Sequence, residues 1–140
     1  MIKIAGLLTA MFVLAHALTP EERTIILNFH KDTRYAVDPP ASNMMLMKYE
    51  KKLESLAESW VKRCIYQHPN PQQYPEFKGY GQNLAVSGGA AQDIKWLSRG
   101  WADEKKYYFY HNNSCASGKT CGHYTQVIYS FLSNATNLYF

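Results

Sequence analysis

The chain has 140 residues, a formal net charge of +4 and 46% hydrophobic residues, which suits one modest domain and is too little for two. Its charges are interspersed and no Lys/Arg block stands beside aromatics, which argues against nucleic acid as a partner. Beyond the N-terminus no apolar run is long enough to cross a membrane.

The first element is not part of the fold. Lys3 is followed by about a dozen apolar residues and then Ala15-His16-Ala17, with small residues where a signal peptidase inspects the chain. Met1–Ala17 therefore reads as a signal peptide, and the chain is expected to be secreted and extracellular. Removing it leaves 123 residues carrying +3, because only Lys3 among the basic residues is lost. Three cysteines remain, Cys64, Cys115 and Cys121. Secreted cysteines are usually paired, and an odd number leaves at least one without a partner in this chain. Asn112-Asn113-Ser114 and Asn134-Ala135-Thr136 have the form of glycosylation acceptors.

Thr19-Pro20-Glu21-Glu22 is a helix start, with a capping threonine, proline at the first helical position and Glu22 placed to close a capping box. That helix should fade near Ala36, before Asp38-Pro39-Pro40. Glu50–Gln67 reads as a second helix, since Leu53, Leu56, Ala57, Trp60, Val61 and Cys64 recur at three- and four-residue intervals. Cys64 is thereby expected on the apolar edge. Pro69–Gly81 is an irregular loop rich in proline and glycine, and Gln82–Ser87 a short extended segment. A third helix is expected from Ala91 to about Tyr107, ending in the aromatic run Tyr107–Tyr110. After the turn-rich Asn112–Thr120, Gly122–Tyr129 reads as a strand, because Tyr124, Thr125, Val127, Ile128 and Tyr129 favour extended backbone. Tyr124 and Gln126 would then share one face of that strand.

The polar candidates for chemistry are His30, His68, His111, His123, Glu104 and Gln82. Histidine is a metal ligand and a base near neutral pH. However, no zincin spacing, nucleophile elbow or phosphate loop is present. Spacing alone does not make this chain an enzyme.

Gly122-His123-Tyr124-Thr125-Gln126-Val127 resembles the signature of the CAP superfamily of cysteine-rich secretory, antigen 5 and pathogenesis-related 1 proteins, whose domain is also called SCP and occurs in venom allergen-like chains. Gly81-Gln82-Asn83-Leu84-Ala85 is similar to that family's Gly-Glu-Asn-Leu box. The segment Pro39–Met44, the helix ending at Cys64 followed by His68, and the opening helix with His30 and Arg34 are similar too. The resemblance implies an α+β fold, a three-layer α–β–α sandwich with helices flanking a small antiparallel sheet. It divides the chain into the signal peptide 1–17, a partial domain 18–129 and a divergent tail 130–140. It also implies a cleft holding His68, Gln82, Glu104, His123, Tyr124 and Gln126. Gln82 stands where the family has an acid. His68 and His123 would be the metal ligands, holding Zn²⁺ weakly, with no cofactor required. Cys115 and Cys121 would close a local disulfide and Cys64 would be free, its family partner lying in a segment missing from this chain.

The chain departs from the family at Lys31, where asparagine is usual, at Tyr49, where tryptophan is frequent, and in the residues after Ile128. The implied function is a secreted, non-enzymatic binding protein for a sterol, a fatty acid or an extracellular protein partner. Two alternatives are a metal-dependent hydrolase using the His pair and a truncated remnant without function.

Overall fold

The computed structural model describes residues 18–88, 93–129 and 135–139. The signal peptide Met1–Ala17 and the acceptor Asn134 lie outside the described residues.

Helix α1, Pro20–Tyr35, opens on the capping box: the Thr19 backbone N–H donates to Glu22 Oε2 at 2.7 Å and the Glu22 N–H to Thr19 Oγ1 at 3.1 Å. It buries Ile26, His30 and Arg34, one residue per turn on one face. His30 Nδ1 lies 2.8 Å from the Ile26 carbonyl. A carbonyl can only accept, so that nitrogen carries the proton and His30 is a core donor.

Helix α2 runs Lys51–Val61, shorter at its C-terminal end than its periodicity suggests. Cys64 adopts φ 54°, the left-handed conformation that closes a helix, and the Trp60 indole N–H donates to the Gln67 carbonyl at 2.7 Å, turning the chain back. Cys64 consequently lies past the helix, exposed and free, rather than on its apolar edge. Trp60 then packs edge-on against Tyr74 and Phe77. With Leu84 these form the main core cluster.

Arg23 of α1 clamps Glu54 of α2 through two bonds at 2.6 and 2.9 Å, and the Tyr49 hydroxyl donates to the same carboxylate at 3.0 Å. Arg23 above all holds the Glu54 pKa down at about 2, with Lys51 and Tyr49 adding to it. Burial, reinforced by that carboxylate, pushes the Tyr49 hydroxyl well above its usual value.

Strand β1, Gly81–Ala85, falls where an extended segment was expected. Helix α3 is Ile94–Asp103 and continues as a 3-10 turn over Glu104–Tyr107, so the predicted helix is correct in place and tighter in its last turn. Its start is set by Asp93, whose carboxylate accepts from the Trp96 N–H at 2.7 Å. Strands β2, Tyr108–Phe109, and β3, Ser114–Cys115, form a short antiparallel pair. Cys115 is bridged to Cys121 across a Cα separation of 5.8 Å, as the resemblance implies.

Gly122–Tyr129 is a helix, α4, and not a strand. The residues favour extended backbone individually, but two contacts from elsewhere stabilise the helical alternative. Glu104 accepts from the N–H groups at its first turn, and Arg34 donates to the carbonyls of Val127 and Ile128 at its last. Cys121, Tyr124 and Val127, three residues apart, are all buried, which is a helical and not an alternating pattern. Tertiary contact overrides local propensity here.

Strand β4, Ala135–Tyr139, pairs in parallel with β1, from Gly81 opposite Ala135 to Ala85 opposite Tyr139. Helix α2 lies on β4, α3 and α4 lie on β1, and α1 packs on α3 and α4. The architecture is the α+β arrangement expected, with four α-helices, one small antiparallel pair and one parallel pair of strands among the described residues. Among the described residues no helix is long and apolar enough to cross a membrane.

Candidate functional site

The six residues expected in the cleft separate into three groups, all bordering β1 or the start of α4. Glu104, at the end of α3, organises the first. Its Oε2 accepts from the backbone N–H groups of His123 at 3.0 Å and Tyr124 at 3.1 Å, and its Oε1 accepts from His123 Nδ1–H at 2.6 Å. These N–H groups are the free donors of a helix start. The side chain of Cys121, which precedes the helix, is bridged to Cys115 and carries no oxygen to cap with, so Glu104 caps α4 from another element. The Trp101 ring stacks on His123 with an interplanar angle of 16°, and its indole N–H donates to the Leu84 carbonyl at 3.1 Å. His123 is thus held on both sides, with Nε2 as its remaining nitrogen.

His68 belongs to the second group. Its Nδ1 lies 3.1 Å from Gln82 Oε1, while the Gln82 amide N–H donates to the Tyr80 carbonyl at 3.0 Å. The amide oxygen is an acceptor, so Nδ1 is the donor and Nε2 is again left over. Gln82 replaces an acid in form but supplies no charge. Asn83, the next residue, is buried and donates to the His123 carbonyl at 3.1 Å, which ties β1 to the first turn of α4.

Gln126 and Tyr124 form the third group and do not share a face, since two residues on a helix diverge by about 200°. Gln126 packs against the backbone of Gly81, in space that a Cβ at Gly81 would occupy. Tyr124 is 2% exposed and packs with Tyr108. It lines a different cavity from His123.

Glu104 and His123 border an open cleft of about 450 Å³, bounded also by Tyr66, Val86, Trp96 and Trp101. Tyr66, Val86 and Trp96 are more than half exposed, so the cleft has an apolar rim that the sequence reading did not single out. The signal available was the position of Trp96: it lies off the Ile94–Leu97–Trp101 face of α3, and a large aromatic there points outward.

A zinc centre takes three or four protein donors. Among the described residues no group of three or more His, Cys, Asp or Glu converges in a way that could hold a metal. Glu104 behind His123 is the carboxylate–imidazole arrangement that supports a ligating histidine, whereas His68 has only an amide behind it. The donor set does not amount to a zinc centre, and no chemical step follows from it. Asn112 is exposed and accepts from the Ser114 hydroxyl at 2.7 Å, so that acceptor tripeptide sits at the surface.

Comparison with known proteins agrees with the architecture. The family model described as the cysteine-rich secretory protein family, CAP, matches residues 27–132. Peptidase inhibitor 16 of Bos taurus is 33% identical over 116 residues, which is 83% of this chain and 24% of that protein. Peptidase inhibitor R3HDML of Homo sapiens is 30% identical over 135 residues, 91% of this chain and 52% of that protein. GLIPR1-like protein 1 of Bos taurus is 33% identical over 110 residues, 75% of this chain and 45% of that protein. The chain therefore spans about half or less of the length of these relatives.

Proposed function

The chain belongs to the cysteine-rich secretory protein family, and from that premise we propose that it is a secreted, non-enzymatic binding module that takes a lipid or a protein partner outside the cell. The observation that carries this reading is the use made of Glu104. Both carboxylate oxygens are engaged, with two backbone N–H groups and the His123 ring, so the acid closest to a histidine holds a helix in place. A general base needs a free oxygen within reach of a substrate proton. The surface beside it is suited to contact: Tyr66, Val86 and Trp96 offer exposed apolar area around a concave floor. The relatives named peptidase inhibitors support a protein partner as one form of this binding.

Purified secreted protein tests the reading. Saturable cholesterol binding weakened at least about tenfold by Trp96→Ala, with circular dichroism unchanged, supports the lipid form. No binding at tens of micromolar removes the lipid form and leaves the protein partner. Turnover of a peptide library that disappears in His123→Ala would overturn the non-enzymatic reading altogether.

The same reading extends to zinc. With one imidazole backed by a carboxylate, the other by an amide and no third donor among the described residues, His68 and His123 fall short of a zinc centre, and Zn²⁺ is expected to bind them only weakly. Calorimetry giving submicromolar affinity that vanishes in His68→Ala would contradict this.

A further inference from the structure

The turn of the β2–β3 hairpin lies apart from the cleft at His123. Tyr108 pairs with Cys115 and Phe109 with Ser114, so residues 110–113 form the turn. The Asn113 N–H donates to the Tyr110 carbonyl at 3.2 Å, which closes it. Asn113 then takes φ 49°, a left-handed conformation that asparagine tolerates better than most residues. Its Oδ1 accepts from the Tyr108 hydroxyl at 2.9 Å. These bonds join residues close in sequence, so the turn can form before the distant elements assemble.

Two features of the turn point to one modification. Ser114 Oγ donates to Asn112 Oδ1 at 2.7 Å, so the carboxamide is oriented by the hydroxyl that defines an Asn-x-Ser acceptor. Asn112 is exposed, and among the described residues no protein acceptor takes up its Nδ2. The other feature is Tyr110, two residues before Asn112. It borders the cavity that Tyr124 lines, yet it is 53% exposed, as is Phe109 beside it. Adjacent aromatic rings left half in water form an apolar surface suited to cover.

We propose that Asn112 carries an N-linked glycan whose first sugar packs on the Tyr110 ring and stabilises the hairpin turn. The donor is an oligosaccharide carried on a lipid pyrophosphate. Asn112 Nδ2 bonds to the anomeric carbon, the anomeric C–O bond breaks, the lipid pyrophosphate leaves, and the amide loses one proton. That donor belongs to the secretory pathway, so the inference rests on the secreted reading above. One face of a pyranose presents C–H bonds of slight positive charge, which suit the negative face of an aromatic ring. A closed turn holds the Cα atoms of Tyr110 and Asn113 within about 7 Å, which places a sugar on Asn112 within reach of the ring.

The full chain expressed in cultured animal cells tests it, with the acceptor at Asn134 retained throughout. Peptide mapping by mass spectrometry is expected to find Asn112 glycosylated in chain that has lost Met1–Ala17. Unmodified Asn112 in such chain would overturn the inference and leave the secreted reading standing. Retention of Met1–Ala17 would overturn both. Thermal unfolding then reads the packing. Ser114→Ala removes the acceptor and is expected to lower the midpoint by at least about 3 °C in the parent, but by less than about 1 °C in the Tyr110→Ala background. The Ser114 bond to Asn112 is lost in both backgrounds, so the difference isolates the ring. Tyr110→Phe keeps the ring and is expected to keep the full shift. Equal losses with and without the Tyr110 ring would overturn the packing of sugar on tyrosine.

Discussion

Gly81 shows how a single residue ties the sheet to α4. The Gln126 side chain occupies the space where a Cβ would stand, so Gly81→Ala must displace that amide. It is expected to cost about 1–3 kcal/mol in urea unfolding. A double-mutant cycle with Gln126→Ala should return a coupling of about 0.5–3 kcal/mol, and additive losses would show that the two do not meet. Glu54 carries the clearest pH dependence. Its carboxyl is held at about 2, below the ordinary 4.5. The charged form is therefore favoured by folding, and its contribution is complete above about pH 4.5 and fades as pH falls towards 2. Glu54→Gln should be less stable than the parent at neutral pH, with the gap narrowing across that window. A gap that stays constant down to pH 2 would contradict the assignment. The individual roles of Thr19 and Glu22 are legible in the sequence, because each acts within a few residues, whereas the Cys115–Cys121 pair comes from the family resemblance. Those of Glu104 and Arg34 are not, because their partners lie 19 and 93 residues away.

At the scale of elements, α1 and α2 declare themselves through caps and a three-to-four residue apolar rhythm. Helix α3 does so less fully. Its described start is the Asp93 cap, the expected start at Ala91 lying outside the described residues, and Asp93→Ala should cost about 1 kcal/mol in thermal unfolding. No loss would mean that another group satisfies the first turn. Helix α4 is the element that sequence reading turns into a strand, and the reason is specific. Its eight residues include Tyr124, Thr125, Val127 and Ile128, which taken alone prefer extended backbone. What makes it helical is supplied by other elements at both ends: the Glu104 carboxylate and the Arg34 guanidinium. The three-residue spacing of Cys121, Tyr124 and Val127, all buried, is the readable counter-signal. Pairing of β1 with β4 likewise depends on segments about fifty residues apart, beyond the reach of local pattern.

Across the whole molecule, the layered arrangement follows from burial on both sides of a small sheet, and the family resemblance reports it correctly. The candidate site fares differently. Of His68, Gln82, Glu104, His123, Tyr124 and Gln126, expected in one cleft, Glu104 and His123 border it and Tyr124 lines a second cavity, while His68 bonds to Gln82 and Gln126 packs on Gly81. Substituting alanine for both Cys115 and Cys121 should cost about 2 kcal/mol, the value for closing so short a loop. Exposed Cys64 should react with a maleimide in the native state, and protection of that thiol would show that it is bridged or covered.

The central claim is that the acid and histidine of the cleft serve the fold, leaving the neighbouring apolar rim to make contacts. Residues kept for chemistry usually cost stability, and replacing them tends to leave it unchanged or raised. Urea unfolding of Glu104→Gln is therefore the most direct test. The account predicts a lower midpoint at unchanged slope, a loss of about 1–2 kcal/mol. A variant as stable as the parent, or more so, would contradict it.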